Sequence, residues 1–170
     1  MKQILKFFVI GAVMLAFSAT TFAQVSATAT ATATIVSPIA IAKTVDMNFG
    51  NVAASAALGT VVLTPAGARS ATGGVTLPST IGTVSAASFT VTGTPGYTYA
   101  ITLPGAALTI TSGAPTMTVD TWTSNPVSPG TLVAGTSTLT VGATLHVGAN
   151  QAAGVYGIPA QTFTVTVNYN

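Results

Sequence analysis

The alternation of apolar and polar residues is strictest in the last eight residues, 163–170. Phe163, Val165, Val167 and Tyr169 would share one face of an extended strand, with threonine and asparagine between them. A period of two residues is typical of a half-buried β-strand. We therefore expect a strand here, with its four apolar side chains in a core and its backbone paired to a neighbouring strand.

A similar alternation, interrupted by glycine and proline, recurs along most of the chain. It predicts short strands at residues 59–64, 75–77, 88–92, 97–103, 107–111, 117–123, 131–134 and 138–147. Residues 65–69 and 72–74 are predicted to be turns, and Gly93-Thr94-Pro95-Gly96 a hairpin loop. No segment after residue 23 has helical periodicity. The expected fold is therefore all-β, an antiparallel β-sandwich, with a β-helix as the alternative.

Residues 25–36 form a low-complexity run in which alanine and threonine alternate. One face of this run is Ala27, Ala29, Ala31, Ala33 and Ile35. Alanine is a weak strand former and buries little area, so the run should not nucleate a sheet by itself. Two interpretations stay open, a flexible linker or a strand that adds to a sheet edge. The odd-numbered apolar positions continue through Ile39 and Ile41, which favours the strand.

Residues 1–23 have the three parts of a Sec signal peptide. Lys2 and Lys6 precede an apolar run at 7–17, and Thr21-Phe22-Ala23 resembles a cleavage site. The apolar run is shorter than the roughly 20 residues that span a bilayer, so a cleaved signal is favoured over a membrane anchor. We expect Sec export to the periplasm, the cell surface or the medium, leaving an extension at 24–37 and one domain at 38–170.

Cleavage after Ala23 would change the charge of the chain. Lys43 and Arg69 would then balance Asp46 and Asp120, leaving no net charge. A neutral chain lacks the basic patch with which proteins bind nucleic acid or anionic membranes. So few charges also leave sheet edges without a common protection against strand pairing, which favours a protein that associates with other chains.

Few side chains after residue 23 could perform catalysis. That part of the sequence has no cysteine or glutamate, one histidine and two aspartates. A metal site normally needs three or four converging ligands, and a glycosidase needs two facing carboxylates. Asp46, Asp120 and His146 are scattered, and alternation with Leu145 and Val147 puts His146 on an outward face. We expect no catalytic, metal or cofactor site and no enzyme activity.

Three aromatic residues, Trp122, Tyr97 and Tyr99, could stack against sugar rings. Single aromatic residues in a β-sandwich also pack across strands, where they stabilise the fold instead. The alternative hypothesis for function is therefore a self-complete monomeric β-sandwich that binds glycan or another surface ligand through these residues.

Several segments together resemble a family of exported bacterial proteins known as domain of unknown function 4402. These segments are Met47–Val52, Ser88–Gly93, Val141–Val147, Gly154–Gly157 and Phe163–Tyr169. The layout is also similar to subunits of chaperone–usher pili and to spore coat protein U-like proteins. As in pilus subunits, the penultimate residue is a tyrosine, Tyr169, and the fourteenth residue from the end is a glycine, Gly157.

The resemblance implies an incomplete immunoglobulin-like, pilin-like sandwich that is completed by a strand from another subunit. Residues 24–37 lie where such a donor strand is expected. The interface would join the alanine face and Ile35 of one copy to the terminal strand of another. The resemblance implies a non-enzymatic structural protein of the cell surface, with copies of itself or other surface subunits as partners and a periplasmic chaperone. The chain lacks the disulfide of many pilus subunits.

Overall fold

The structure is a computed structural model that describes residues 24–170. The expected signal peptide, residues 1–23, lies outside the described residues. All regular secondary structure of residues 24–170 is β. The strands are β1 (Ala40–Val45), β2 (Asn48–Phe49), β3 (Ala53–Leu63), β4 (Arg69–Thr76), β5 (Val84–Ser85), β6 (Ala87–Thr92), β7 (Thr98–Thr102), β8 (Leu108–Thr111), β9 (Thr116–Asn125), β10 (Gly130–Thr131), β11 (Thr136–Val147) and β12 (Thr166–Tyr169). Residues 24–170 contain no helix long and apolar enough to span a membrane.

The strand β11 is the centre of a seven-stranded antiparallel sheet, here called the large sheet. One edge of β11 pairs with β6 through residues 136–141 and with β3 through residues 143–147. Its opposite edge pairs with β9. The sheet continues from β6 to β1, from β3 to β4 and from β9 to β8.

A second antiparallel sheet, the small sheet, has the strand order β10-β7-β12. Its pairing runs from Thr166 opposite Thr102 to Tyr169 opposite Tyr99. The strand β7 lies between its two partners, so β12 is an edge strand. The strands β2 and β5 form a separate short pair.

The core follows from alternation along the strands. In β11 the odd-numbered residues from Leu139 to Val147 are buried, while the threonines between them face outward. One buried cluster joins the two sheets, with Val91 and Leu139 from the large sheet against Tyr99 and Val167 from the small sheet. Full burial of one such side chain contributes about 1.5–3 kcal/mol.

A second cluster lies over the other half of the large sheet. It consists of Val61, Val75, Val119, Ala143, Leu145 and Val147. Met47 and Trp122 pack against both clusters, so the two form a continuous apolar interior. This arrangement confirms the all-β, antiparallel expectation.

The structure corrects two predicted boundaries. Residues 72–74 were expected to form a turn, but β4 runs through them because Gly73, with a φ of 67°, lies at a shift of register against β3. Residues 131–134 were expected to be a strand. Only Thr131 belongs to β10, and Ala134 and Gly135, with φ angles of 51° and 84°, form the turn into β11.

Candidate assembly edge

The outer edge of β12 presents main-chain groups beside an apolar interior. The Asn170 N–H donates to the Thr98 carbonyl over 3.3 Å. Because residues of an antiparallel strand alternate in the direction of their main-chain groups, the N–H and C=O of Val167 and Tyr169 face away from β7. No strand of the described residues pairs with them. The side chain of Val167 is buried and that of Tyr169 half-buried, which confirms the predicted alternation.

The edge strands β1 and β4 of the large sheet have some protection against pairing. On β1, Lys43 lies beside a register shift and is 2.6 Å from Asp46. On β4, the register shift at Gly73 interrupts the edge. Charged residues and bulges of this kind are common devices against edge-to-edge pairing. Residues 162–170 contain no charged residue, and the pairing of β12 with β7 has no register shift, so β12 lacks both devices.

The C-terminal end of the outer edge of β8, at Thr111, is covered by the segment that leads to β12. The Thr111 N–H donates to Gln161 Oε1 over 3.2 Å, and the Gly157 N–H donates to the Thr111 carbonyl over 2.9 Å. Ser112 also forms a bridge with Ile158. These contacts satisfy backbone groups of β8 that would otherwise be open to another strand.

The end of β12 holds the residues that precede β1. Tyr169 Oη accepts a hydrogen bond from the Thr94 N–H over 2.7 Å and donates to the Ser37 carbonyl over 2.8 Å. The Ser37 N–H in turn donates to Thr94 Oγ1 over 2.9 Å. Ser37 is therefore fixed beside the loop between β6 and β7. Sequence reasoning noted Tyr169 as the penultimate residue but had no signal for its partners.

The extension itself forms no strand within its own chain. Residues 24–39 have no regular secondary structure. All five residues of the expected donor face are exposed: Ala27, Ala29, Ala31, Ala33 and Ile35. Residues 24–34 also fall outside the unit Ile35–Asn170 that contains every strand. The alanine face is thus free of sheet pairing in the single chain.

The aromatic residues proposed as a ligand platform do not share an exposed surface. Tyr99 is fully buried, and its hydroxyl donates to Ser137 Oγ over 2.8 Å. Trp122 packs against Phe163 with ring centroids 4.5 Å apart, and both pack against the core. Tyr97 has 43% of its surface exposed. The rings of Tyr99 and Trp122 therefore pack in the fold, and they do not form an exposed platform with Tyr97.

The structure brings together two of the three residues considered for catalysis, Asp120 and His146, and pairs Asp46 with another residue. His146 faces outward, as predicted, and its Nε2 lies 2.8 Å from Oδ1 of Asp120 on β9. The hydrogen bond with His146, followed by one from Thr121, lowers the pKa of Asp120. Asp46 pairs instead with Lys43. Within residues 24–170 no three potential metal ligands cluster together. The pair of Asp120 and His146 was missed because a cross-strand register is not readable from one strand's alternation.

These features define an all-β protein made of antiparallel sheets, with an open strand edge at β12 beside its core. The chain belongs to the family described as domain of unknown function (DUF4402), whose family model matches residues 39–169. The match confirms the family expected from the sequence segments, and it begins after the alanine-rich extension. No curated protein and no solved structure matches the chain.

Proposed function

We propose that the protein is an exported, non-enzymatic structural subunit of the cell surface, similar to a fimbrial subunit, that assembles by β-strand addition. The extension, residues 24–37, of one copy would pair with the open edge of β12 in another copy. In this proposal the two sheets are an incomplete immunoglobulin-like, pilin-like sandwich, and residues 1–23 direct export. Other surface subunits with a similar extension would bind in the same way, and a periplasmic chaperone would cover the edge beforehand.

The observation that carries the proposal is the unpaired outer edge of β12. Val167 and Tyr169 direct their main-chain groups outward there while their side chains face the core. An added strand can therefore extend the small sheet and, with alternate side chains, the apolar interior at the same time. Peptides that bind by strand addition gain affinity from main-chain hydrogen bonds and specificity from alternate side chains.

The composition of the extension determines whether main-chain hydrogen bonds or buried apolar side chains contribute more to the affinity. The four main-chain groups of Val167 and Tyr169 would contribute about 0.5–1.5 kcal/mol per hydrogen bond. Alanine side chains bury little area, at about 25 cal/mol per Å², so Ile35 is the one large apolar side chain on the donor face. The proposed affinity is therefore mainly a main-chain affinity, with Ile35 as its anchor.

Disulfide cross-linking tests the proposal, because the sequence has no cysteine of its own. Asn168→Cys places a thiol on the exposed face of β12. Thr28→Cys, Thr30→Cys and Thr32→Cys do the same along the extension. We expect that mixing and oxidising Asn168→Cys with these three variants gives cross-linked dimers with at least one of them.

The matched control is Thr118→Cys, an exposed threonine in β9 on the outward face of the large sheet. We expect it to cross-link with none of the extension variants above background. Equal cross-linking at Asn168→Cys and Thr118→Cys, or none at either position, would overturn strand addition. A self-complete monomer that binds glycan would then be the better account, and Trp122→Ala would test it.

A further inference from the structure

The last residue of the extension, Ser37, lies beside a small apolar patch at one end of the molecule. Two loops meet there, because the Gly96 N–H donates to the Leu132 carbonyl over 2.8 Å and the Leu132 N–H donates to the Tyr97 carbonyl over 2.9 Å. Pro95 is exposed, Tyr97 is 43% exposed and Val133 is 71% exposed. We call these three residues the Tyr97 patch.

The patch is uncharged and held in place. Neither residues 93–97 nor residues 131–135 include a charged side chain. Tyr97 packs edge-on against Tyr169, with ring centroids 5.5 Å apart. Tyr169 in turn binds the Ser37 carbonyl and the Thr94 N–H. The position of the patch is therefore fixed relative to Ser37, the anchored residue at the C-terminal end of the extension.

The short distance along the chain from Ser37 to Ile35 determines what can lie over this patch. Two residues span at most about 7 Å of extended chain. If Ile35 occupies the open edge of a second copy, the backbone of that copy lies within about 12 Å of Ser37, which is the chain length plus the spacing between paired strands. The body of the second copy then lies beside the end of the molecule that holds Ser37. This conclusion holds whether the added strand runs parallel or antiparallel to β12.

We infer that the Tyr97 patch is a docking surface for a second copy of this chain, the copy whose β12 edge receives the extension. The inference rests on the proposed function and adds a body-to-body contact to the strand contact. Exposed apolar residues that become covered contribute by removal of area from water. A charge placed at the same point must lose water without a partner, which is unfavourable. The contact would make assembly stronger than the alanine-rich strand alone allows.

The test is the Val133→Asp variant of the full chain, purified after export. Val133 is mostly exposed, so the change leaves the single-chain core intact. We expect the protein concentration at which half of the chains are assembled to rise about tenfold or more, corresponding to about 1.4 kcal/mol. The matched control is Val127→Asp, with 76% exposure in the loop after β9. That loop contacts β7 on the side away from β12, through Ser128 and Ile101, and we expect no rise.

A second measurement separates this inference from the proposed function. A labelled peptide of residues 24–37 is titrated into the full-length Val133→Asp protein and into the parent, each carrying Ala29→Pro and Ala31→Pro to prevent self-assembly. We expect equal peptide affinity, because the peptide contacts the edge without a body attached. Equal peptide affinity with unchanged assembly of Val133→Asp overturns the docking surface and leaves strand addition standing. Failure of the peptide to bind the parent overturns both.

A linker insertion provides the final check. Four residues, Gly-Ser-Gly-Ser, inserted between Val36 and Ser37 lengthen the connection by up to about 14 Å. The second copy then no longer has to touch the Tyr97 patch. We expect Val133→Asp to have little effect on assembly in this background. A tenfold effect that persists despite the linker overturns the contact, because it would mean that Val133→Asp acts within its own chain.

Discussion

The outer edges of β8 and β12 differ in how their main-chain groups are used. At β8, the side chain of Gln161 and the backbone of Gly157 occupy the main-chain groups of Thr111. At β12, the corresponding groups of Val167 and Tyr169 have no strand partner in residues 24–170. The connection between β11 and β12 is therefore long enough to cover an edge, and it covers the one at β8. The contrast indicates that protection of edges is selective in this fold.

The difference matters because an open edge is normally a hazard. Main-chain N–H and C=O groups in a row are a template for another strand. Few charges elsewhere on the described chain would oppose such contacts, since its charged residues are Lys43, Asp46, Arg69 and Asp120. An edge left open under these conditions favours a protein in which strand pairing is used. Four predictions test the contrast between the two edges.

The largest expected effect is on assembly through β12. Ala29→Pro with Ala31→Pro removes two backbone donors from the extension, and proline cannot donate to a ladder. We expect assembly to be abolished in sedimentation or light-scattering measurements. The melting temperature of the monomer should not change, because these residues form no strand in their own chain.

The control for the proline variant is Ala29→Ser with Ala31→Ser, which alters the same side chains but keeps both donors. It should retain most of the assembly. If the serine variant fails as completely as the proline variant, side-chain packing rather than the backbone ladder would carry the contact. That result would contradict the proposed role of the open edge.

The second effect concerns the anchor at the end of β12. Tyr169→Phe keeps the ring against Tyr97 but removes the hydroxyl that bonds to Thr94 and Ser37. Two lost hydrogen bonds correspond to about 2 kcal/mol of unfolding free energy. For a domain of this size the melting temperature should fall by roughly 4–8 °C, measured on the non-assembling proline background. Tyr156→Phe is a comparison elsewhere in the chain, where a hydroxyl bonds to Gln151 and Ala152.

A fall of less than 1 °C would mean that the hydroxyl of Tyr169 does not hold Ser37 in solution. The docking inference depends on this anchor, because the distance from Ile35 to the Tyr97 patch is fixed only while Ser37 is fixed. The melting experiment therefore tests whether the open edge of β12 also holds Ser37 in a fixed position beside it.

The third prediction concerns Gln161→Ala, which would uncover the outer edge of β8 at Thr111. Gln161→Ala removes the acceptor for the Thr111 N–H and the donor to the Pro159 carbonyl. We expect a loss of about 1–2 kcal/mol in stability and faster hydrogen exchange at Thr111, measured by mass spectrometry or NMR. New self-association in the proline background would show that the cover at β8 prevents pairing. Unchanged exchange at Thr111 would contradict that role.

The sequence predicted the parts of this fold that depend on local alternation. Leu145, Val147 and Val167 were each placed on an inward face by a period of two, and each is buried. The turn expected at residues 72–74 was wrong because glycine pairs were taken as turns. The structure uses Gly73 in a strand that shifts its register.

The parts that the sequence could not supply are long-range pairings. Tyr169 and Ser37 are separated by 132 positions, and nothing in either local pattern links them. The same holds for Gln161 with Thr111, and for Asp120 with His146. Which edge is covered and which is open is therefore a property of topology. Local alternation reports the burial of a strand but not its neighbours.

The smallest expected effect concerns the pair of Asp120 and His146, which lies in the interior of the large sheet rather than at an edge. The pKa of Asp120 is lowered in the folded protein, chiefly by its hydrogen bond with His146. A lowered pKa means that this carboxylate stabilises the fold above its unfolded pKa of about 3.9, and that the contribution disappears as pH falls through the folded value. The side chains of His146 and Asp120 are partly exposed, with 45% and 38% of their surfaces accessible respectively, so screening by water keeps the contribution small.

Asp120→Asn should lower the melting temperature slightly at pH 6 and have no effect near pH 2, with Thr121→Val as a milder variant at the same site. Neither change should affect assembly, because β11 is paired on both edges at His146 and β9 is paired with β11 at Asp120. A reduction in assembly by Asp120→Asn comparable to that of the proline variant would place a contact on the outward face of the large sheet, and would contradict assembly through the edge of β12.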